Sequence, residues 1–188
     1  AGYIKYGILF ASDEVICGFG RTGRWFGCEY FGTRPDFMTM AKALSSGYLP
    51  IGGLMVGERV ARALIDKGGE FFHGFTYSGH PAACAVAVAN LEIFRRERVV
   101  ERVRDEAAPY LASRWRELAA HPLVGEARCL GLLAAIELVK DKATRRFFEP
   151  RGEVGLHMRD VCTRNGLIMR PTRDTLFVAP PLVISRGE

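Results

Sequence analysis

Apolar positions in the first third of the chain fall in short runs bounded by turn residues. Gly7-Ile8-Leu9-Phe10-Ala11 is closed by Asp13-Glu14, and Phe37-Met38-Thr39-Met40-Ala41 opens after Pro35-Asp36 and leads into Lys42. Runs of this length with such flanks predict strands, and the candidates are 7–12, 37–40 and 51–56. Glu58 to Lys67 predicts a helix ended by Gly68-Gly69. A loop rich in aromatics and glycine follows from Phe71 to His80. Pro81 suits a first helical turn, and the Ala-rich run from Ala82 to Ile93 is a strong helix former. A second helix is predicted from about Val99 to Leu118, broken by His121-Pro122. Beyond it, Leu130–Val139 and Leu176–Ala179 read as strands, with a helix over 155–165 between them that stops at Gly166.

Strands alternating with helices place the chain in the α/β class. The strand-rich portion gives way to helix-strand-helix-strand around residues 94–121, so two domains are expected, 1–93 and 94–188. There is no internal repeat and no low-complexity segment.

Composition narrows the picture little. The 188 residues are 48% hydrophobic and 25% charged, ordinary for a globular protein. No apolar run approaches the ~20 residues of a membrane-spanning helix. The net charge is +5, and basic residues cluster from Arg95 to Arg104, but Glu97, Glu101, Asp105 and Glu106 alternate with them. That is an exposed, charge-compensated helix face, and it argues against nucleic-acid and membrane partners. The five cysteines form no CxxC pair and leave one over, which suits a reducing cytoplasm better than a disulfide framework.

Two features carry candidate chemistry. Asp13 and Lys42 end neighbouring strand candidates and can face one pocket. A lysine there can form a Schiff base and an acid can hold a pyridinium nitrogen, the pair a pyridoxal phosphate enzyme needs. Gly18-Phe19-Gly20-Arg21-Thr22-Gly23 matches a dinucleotide-binding glycine pattern, but more glycines and Pro35 follow where a helix should open, and Asp36 precedes the next strand instead of ending it. A nicotinamide oxidoreductase is therefore a remote alternative. His73, His80 and Cys84 match no common zinc spacing, so no metal is expected.

The motifs sharpen the first reading. Asp13-Glu14-Val15-Ile16-Cys17-Gly18-Phe19-Gly20-Arg21-Thr22-Gly23 and Pro35 through Tyr48, with Lys42 in the middle, resemble signatures of class III pyridoxal-phosphate-dependent aminotransferases. His73-Gly74-Phe75-Thr76-Tyr77-Ser78-Gly79-His80-Pro81 and Gly166-Leu167-Ile168-Met169-Arg170-Pro171 are similar to the family's next motif and its C-terminal one. Val124-Gly125-Glu126 through Thr144 resembles the putrescine/polyamine and omega-amine:pyruvate branch. The resemblance covers nearly the whole chain.

It implies a fold type I transferase, here part of the large mixed-sheet domain plus most of the small C-terminal α/β domain. It implies pyridoxal 5'-phosphate as cofactor, and transamination from a diamine or omega-amine to a keto acid such as pyruvate. Lys42 would be the Schiff-base lysine and proton carrier, Asp13 the partner of the pyridine nitrogen, and Val15 and Ile16 the residues packed on the ring. Thr76 would bind the phosphate of a partner subunit's cofactor, which implies a homodimer with shared sites. Arg170 would grip the keto-acid carboxylate, and Trp25 either lines the donor pocket or packs in the core. Family members exceed twice this length, and their first half supplies a phosphate-binding segment and a stacking aromatic. The chain is therefore read as a C-terminal portion of such an enzyme, with a non-catalytic fragment as the alternative. Cys129 stands where the family usually has glycine, and would strain the small domain if that place needs positive φ or close packing.

Overall fold

The computed structural model describes residues 2–188, which divide into two compact units after Val100. Before that point the elements are α1 (Gly2–Lys5), β1 (Ala11–Asp13), α2 (Gly27–Tyr30), β2 (Phe37–Met40), β3 (Gly53–Val56), α3 (Glu58–Lys67) and α4 (Pro81–Arg96). The strands form one sheet in the order β1-β2-β3, with β1 parallel to β2 and β2 antiparallel to β3.

The first strand is shorter than its apolar run. Gly7 turns the chain at φ +66°, and Ile8 donates back to the Tyr3 carbonyl at 2.9 Å. Ladder pairing therefore begins only at Ala11, opposite Phe37. Just before it, Asp36 ties the two strand entries together. It accepts from Phe10 N–H at 2.9 Å and from Arg59 of α3 through both carboxylate oxygens. Helix α4 buries Ala83, Ala87, Asn90 and Phe94, a 4-3-4 spacing that lies on one helix face.

The helical stretch that follows comprises α5 (Val99–Arg102), a π turn at Val103–Ala107, α6 (Ala108–Glu117) and a 3-10 turn at Leu118–Ala120. The sequence predicts one regular helix here. Pro109 is the reason for the difference, because it has no N–H to give the preceding turn and its ring crowds the carbonyl four residues back.

The second unit, Glu101 to Glu188, is built on a four-stranded antiparallel sheet. Its strands are β4 (Val124–Leu130), β5 (Leu133–Leu138), β6 (Arg170–Thr172) and β7 (Thr175–Val178), in the order β4-β5-β7-β6, with α7 (Glu153–Arg164) before β6. The single strand expected over 130–139 is instead the far arm of a hairpin. Leu130 pairs with Leu133 across the two-residue turn Gly131-Leu132, and Gly131 takes φ +60°, the conformation such turns demand. Strand β4 was hidden because its alternation is short, exposed Glu126 and Arg128 against Ala127 and Cys129, and a register shift between Val124 and Glu126 puts buried Val124 out of step with it. Strand β6 was hidden by Pro171, which is tolerated because β6 is an edge strand.

Val124, Leu138, Met169 and Leu176 form this unit's core, with Trp115, Ile136, Phe148 and Met158 packed around them. The Trp115 indole N–H is satisfied by the Ala135 carbonyl at 2.9 Å. Cys129 lies inside β4 opposite Ala134, with no positive φ, so the backbone strain feared for a residue other than glycine does not arise. Among the described residues no helix is long and apolar enough to cross a membrane.

Candidate functional site

Parallel pairing sets the site. Because β1 and β2 run the same way with Asp13 opposite Thr39, their carboxyl ends lie side by side. Crevices at such strand ends are where open α/β sheets bind ligands. Asp13 is the last residue of β1, and Lys42 lies two residues beyond the end of β2.

Asp13 is exposed, and its Oδ1 accepts two bonds, from Val15 N–H at 3.1 Å and from the Thr39 hydroxyl at 3.0 Å. Neither engages Oδ2. The Val15 bond first, then the Thr39 bond, holds the carboxyl below the ordinary aspartate value, with a further contribution from the positive charge of Lys42. Lys42 is exposed and opens a 3-10 turn, Lys42–Leu44, with its own φ at +44°. A left-handed backbone at a residue with a long side chain costs about 1–3 kcal/mol and persists only where the surroundings enforce it.

Two residues with no role in the sequence reading brace the site, Asn90 at the Lys42 turn and Glu14 at the corner beside Asp13. Asn90 of α4, only 9% exposed, donates to the carbonyls of Ala43 (2.9 Å) and Leu44 (3.1 Å) and accepts from the Ser46 hydroxyl (2.7 Å). Glu14, 2% exposed, accepts from Gly27 N–H and Cys28 N–H at 2.7 Å each, and from the Ser12 hydroxyl at 2.9 Å. Consecutive strand residues point to opposite faces, so Asp13 reaches solvent while Glu14 turns inward to the start of α2. The sequence did carry a signal for Asn90: it is the one amide on the otherwise apolar stripe Ala83, Ala87, Phe94. Burial also raises the Cys17 and Cys28 thiols, with the Glu14 charge adding to the effect at both.

The other expected residues are placed as follows. Val15 is half-buried beside Asp13, and Ile16 is 57% exposed. Trp25 is half-buried, its ring tilted against Phe94 with centroids 6.2 Å apart. Thr76 lies in an exposed loop whose Phe75, Tyr77, Phe71 and Phe72 are also exposed, and Phe75 N–H donates to the Ser78 hydroxyl at 3.1 Å. Arg170 is exposed at the start of β6 in the second unit. His80 caps α4 through Nδ1, which accepts from Ala83 N–H at 3.4 Å. The glycine-patterned loop closes on itself, Gly20 N–H bonding the Arg24 carbonyl and Gly23 N–H the Gly20 carbonyl. No helix opens at Gly23, and the first amides of α2 are already taken by Glu14, so the loop offers no seat for a pyrophosphate.

Known proteins resemble the chain over nearly its whole length. The family model for aminotransferase class-III matches residues 4–188. The chain is 59% identical over 184 residues to the putrescine–pyruvate aminotransferase of Pseudomonas aeruginosa, a match covering 98% of this chain and 40% of that protein. It is 42% identical over 187 residues to gamma aminobutyrate transaminase 1, mitochondrial, of Solanum lycopersicum, covering 98% of this chain and 36% of that one. A crystal structure of a thermostable (S)-enantioselective omega-transaminase from Thermomicrobium roseum superposes with a TM-score of 0.92 at 45% identity, over 99% of this chain and 41% of that chain. The chain thus spans well under half the length of these relatives.

Proposed function

We propose a function that starts from family: the chain belongs to the class-III aminotransferases, and it supplies the lysine-and-acid half of a pyridoxal 5'-phosphate site for transamination. The amino donor is a diamine or omega-amine and the acceptor a keto acid such as pyruvate. One observation carries the reading. Asp13 and Lys42 stand at the carboxyl ends of two parallel, hydrogen-bonded strands, near enough for the lysine's charge to act on the carboxylate.

The residues fit that cofactor. Asp13 keeps Oδ2 outside the bonds that fix Oδ1, and Lys42 presents an exposed amine on a turn whose backbone is held in place. Bound there, pyridoxal phosphate supplies an aldehyde that condenses with amines and a ring that draws electrons from the neighbouring carbon. Asp13 would hold a proton at the ring nitrogen, and the bonds from Val15 N–H and the Thr39 hydroxyl favour its charged form. Lys42 Nζ would anchor the cofactor and, once displaced by the substrate amine, carry a proton to and from the reacting carbon. Val15 and Ile16 would cover one face of the ring and keep water off it.

The remaining roles extend the proposal. Thr76 would bind phosphate through its hydroxyl and N–H in the site of a second copy, which makes the working unit a homodimer. Arg170 would hold the acceptor's carboxylate with two parallel hydrogen bonds and move aside for a donor that has none. Trp25 would border the donor pocket through whatever part of its ring Phe94 leaves open. Residues 1–93 would belong to the large cofactor domain and 94–188 to the small one. Five free cysteines suit a cytoplasmic location.

Borohydride reduction of the intact protein with pyridoxal phosphate, followed by peptide mapping, tests the reading. A single pyridoxyl adduct at Lys42, absent in Lys42→Ala, is expected. Adducts scattered over several lysines would refute it.

A further inference from the structure

We infer that Asn90 is the positioning residue for Lys42: it fixes the turn that aims the amine, without touching substrate or cofactor itself. The inference rests on the cofactor reading above and deepens it. All three partners of the Asn90 side chain, the Ala43 and Leu44 carbonyls and the Ser46 hydroxyl, lie within four residues after Lys42. Asn90 is thus saturated by one short segment 44 to 47 residues away in sequence.

That segment needs an external hold. Lys42, Ser46 and Gly47 have φ of +44°, +51° and +79°, so three of six consecutive residues are left-handed, and two of them carry side chains that disfavour it. Within the turn the backbone supplies few restraints: Leu44 N–H to Ala41, Ser45 N–H to Lys42, and Tyr48 N–H to Ser45. The carbonyls of Ala43 and Leu44 would otherwise face inward without these donors. Asn90 meets them from a rigid helix, between the buried residues Ala87 and Phe94. An amide is the side chain suited to this task, because it offers two donors and one acceptor in a plane. Asp at the same place would turn both donors into acceptors and repel the two carbonyls.

Two measurements on the intact protein, freed of cofactor, separate positioning from mere support. The first is the rate at which pyridoxal phosphate becomes borohydride-trappable at Lys42. The second is the affinity for pyridoxamine phosphate, which cannot bond covalently to the lysine. Asn90→Asp and Asn90→Ala are expected to slow capture tenfold or more while changing pyridoxamine phosphate affinity less than about threefold. Ser46→Ala, which removes one bond of the three, should show the same split at about threefold, and it keeps the test open if the Asn90 variants fail to fold. Amide hydrogen exchange should quicken at residues 43–46 in every variant that folds. Capture and affinity falling together would overturn the inference and leave Asn90 a packing residue, as would capture unchanged in Ser46→Ala and in any Asn90 variant that folds. Absence of trapping at Lys42 in the unsubstituted protein would overturn the cofactor reading and this inference with it; normal trapping there with no split in the variants would overturn this inference alone.

Discussion

The Glu14 carboxylate should be the strongest single support of the strand-to-loop corner that carries Asp13. It is 2% exposed and takes three donors at once: two backbone N–H groups at the start of α2 and the Ser12 hydroxyl. Glu14→Gln preserves shape but replaces one accepting oxygen with an NH2 group. One of the Gly27 and Cys28 amides then faces a donor and is stranded in the interior. Hydrogen bonds to charged groups contribute about 1.5–3 kcal/mol, and a stranded buried donor costs about 1–3 kcal/mol. These overlap, so a loss of about 3 kcal/mol is expected. Glu14→Ala strands both amides and should cost about 4 kcal/mol. Native-state hydrogen exchange reads this locally. A loss of ~3 kcal/mol corresponds to roughly 100-fold faster exchange at Gly27 and Cys28 if these amides open with the corner. Exchange at those two amides changing by less than about threefold in both variants would refute the reasoning, since it would mean water replaces the carboxylate without cost.

Two further outcomes follow from the same geometry. A Cβ on Gly155, at the start of α7, would lie 1.9 Å from the Arg173 carbonyl oxygen, and the neighbouring Asp174 holds Gly152 and Gly155 N–H at 3.0 Å each. Gly155→Ala should therefore displace α7 and lower the thermal midpoint of the second unit by several degrees in calorimetry; an unchanged midpoint would contradict the close approach. Asp13 should stay ionised to below the ordinary aspartate range, because hydrogen bonds from Val15 and Thr39 and the charge of Lys42 favour its charged form. Its contribution to stability is present above the unfolded value and is lost as pH falls through the lowered folded value. Thr39→Val removes one of those bonds, so a carboxyl-carbon NMR titration should show the Asp13 midpoint moving upward, and a downward or absent shift would count against the assigned bond.

The chain's own pattern reached some elements and missed others for identifiable reasons. Helix α3 was legible to its ends because glycines stand on both sides of Glu58–Lys67. The strand-end places of Asp13 and Lys42 were legible because each follows an apolar run of strand length. Strands β4 and β6 were not, since the register shift between Val124 and Glu126 and the edge place of Pro171 depend on neighbouring strands that local sequence cannot reveal. The π turn before Pro109 shows that proline need not end a helical path when packing carries it onward. The sequence by itself singled out the residues proposed to bring chemistry: an acid, a lysine, a hydroxyl and an arginine, in fixed order along the chain. Only the tertiary structure decided how the first two are held, because parallel pairing of β1 with β2, the inward turn of Glu14 and the reach of Asn90 from α4 are contacts between segments 13 to 47 residues apart. No local propensity specifies such contacts; they form when burial leaves a polar group one partner within reach.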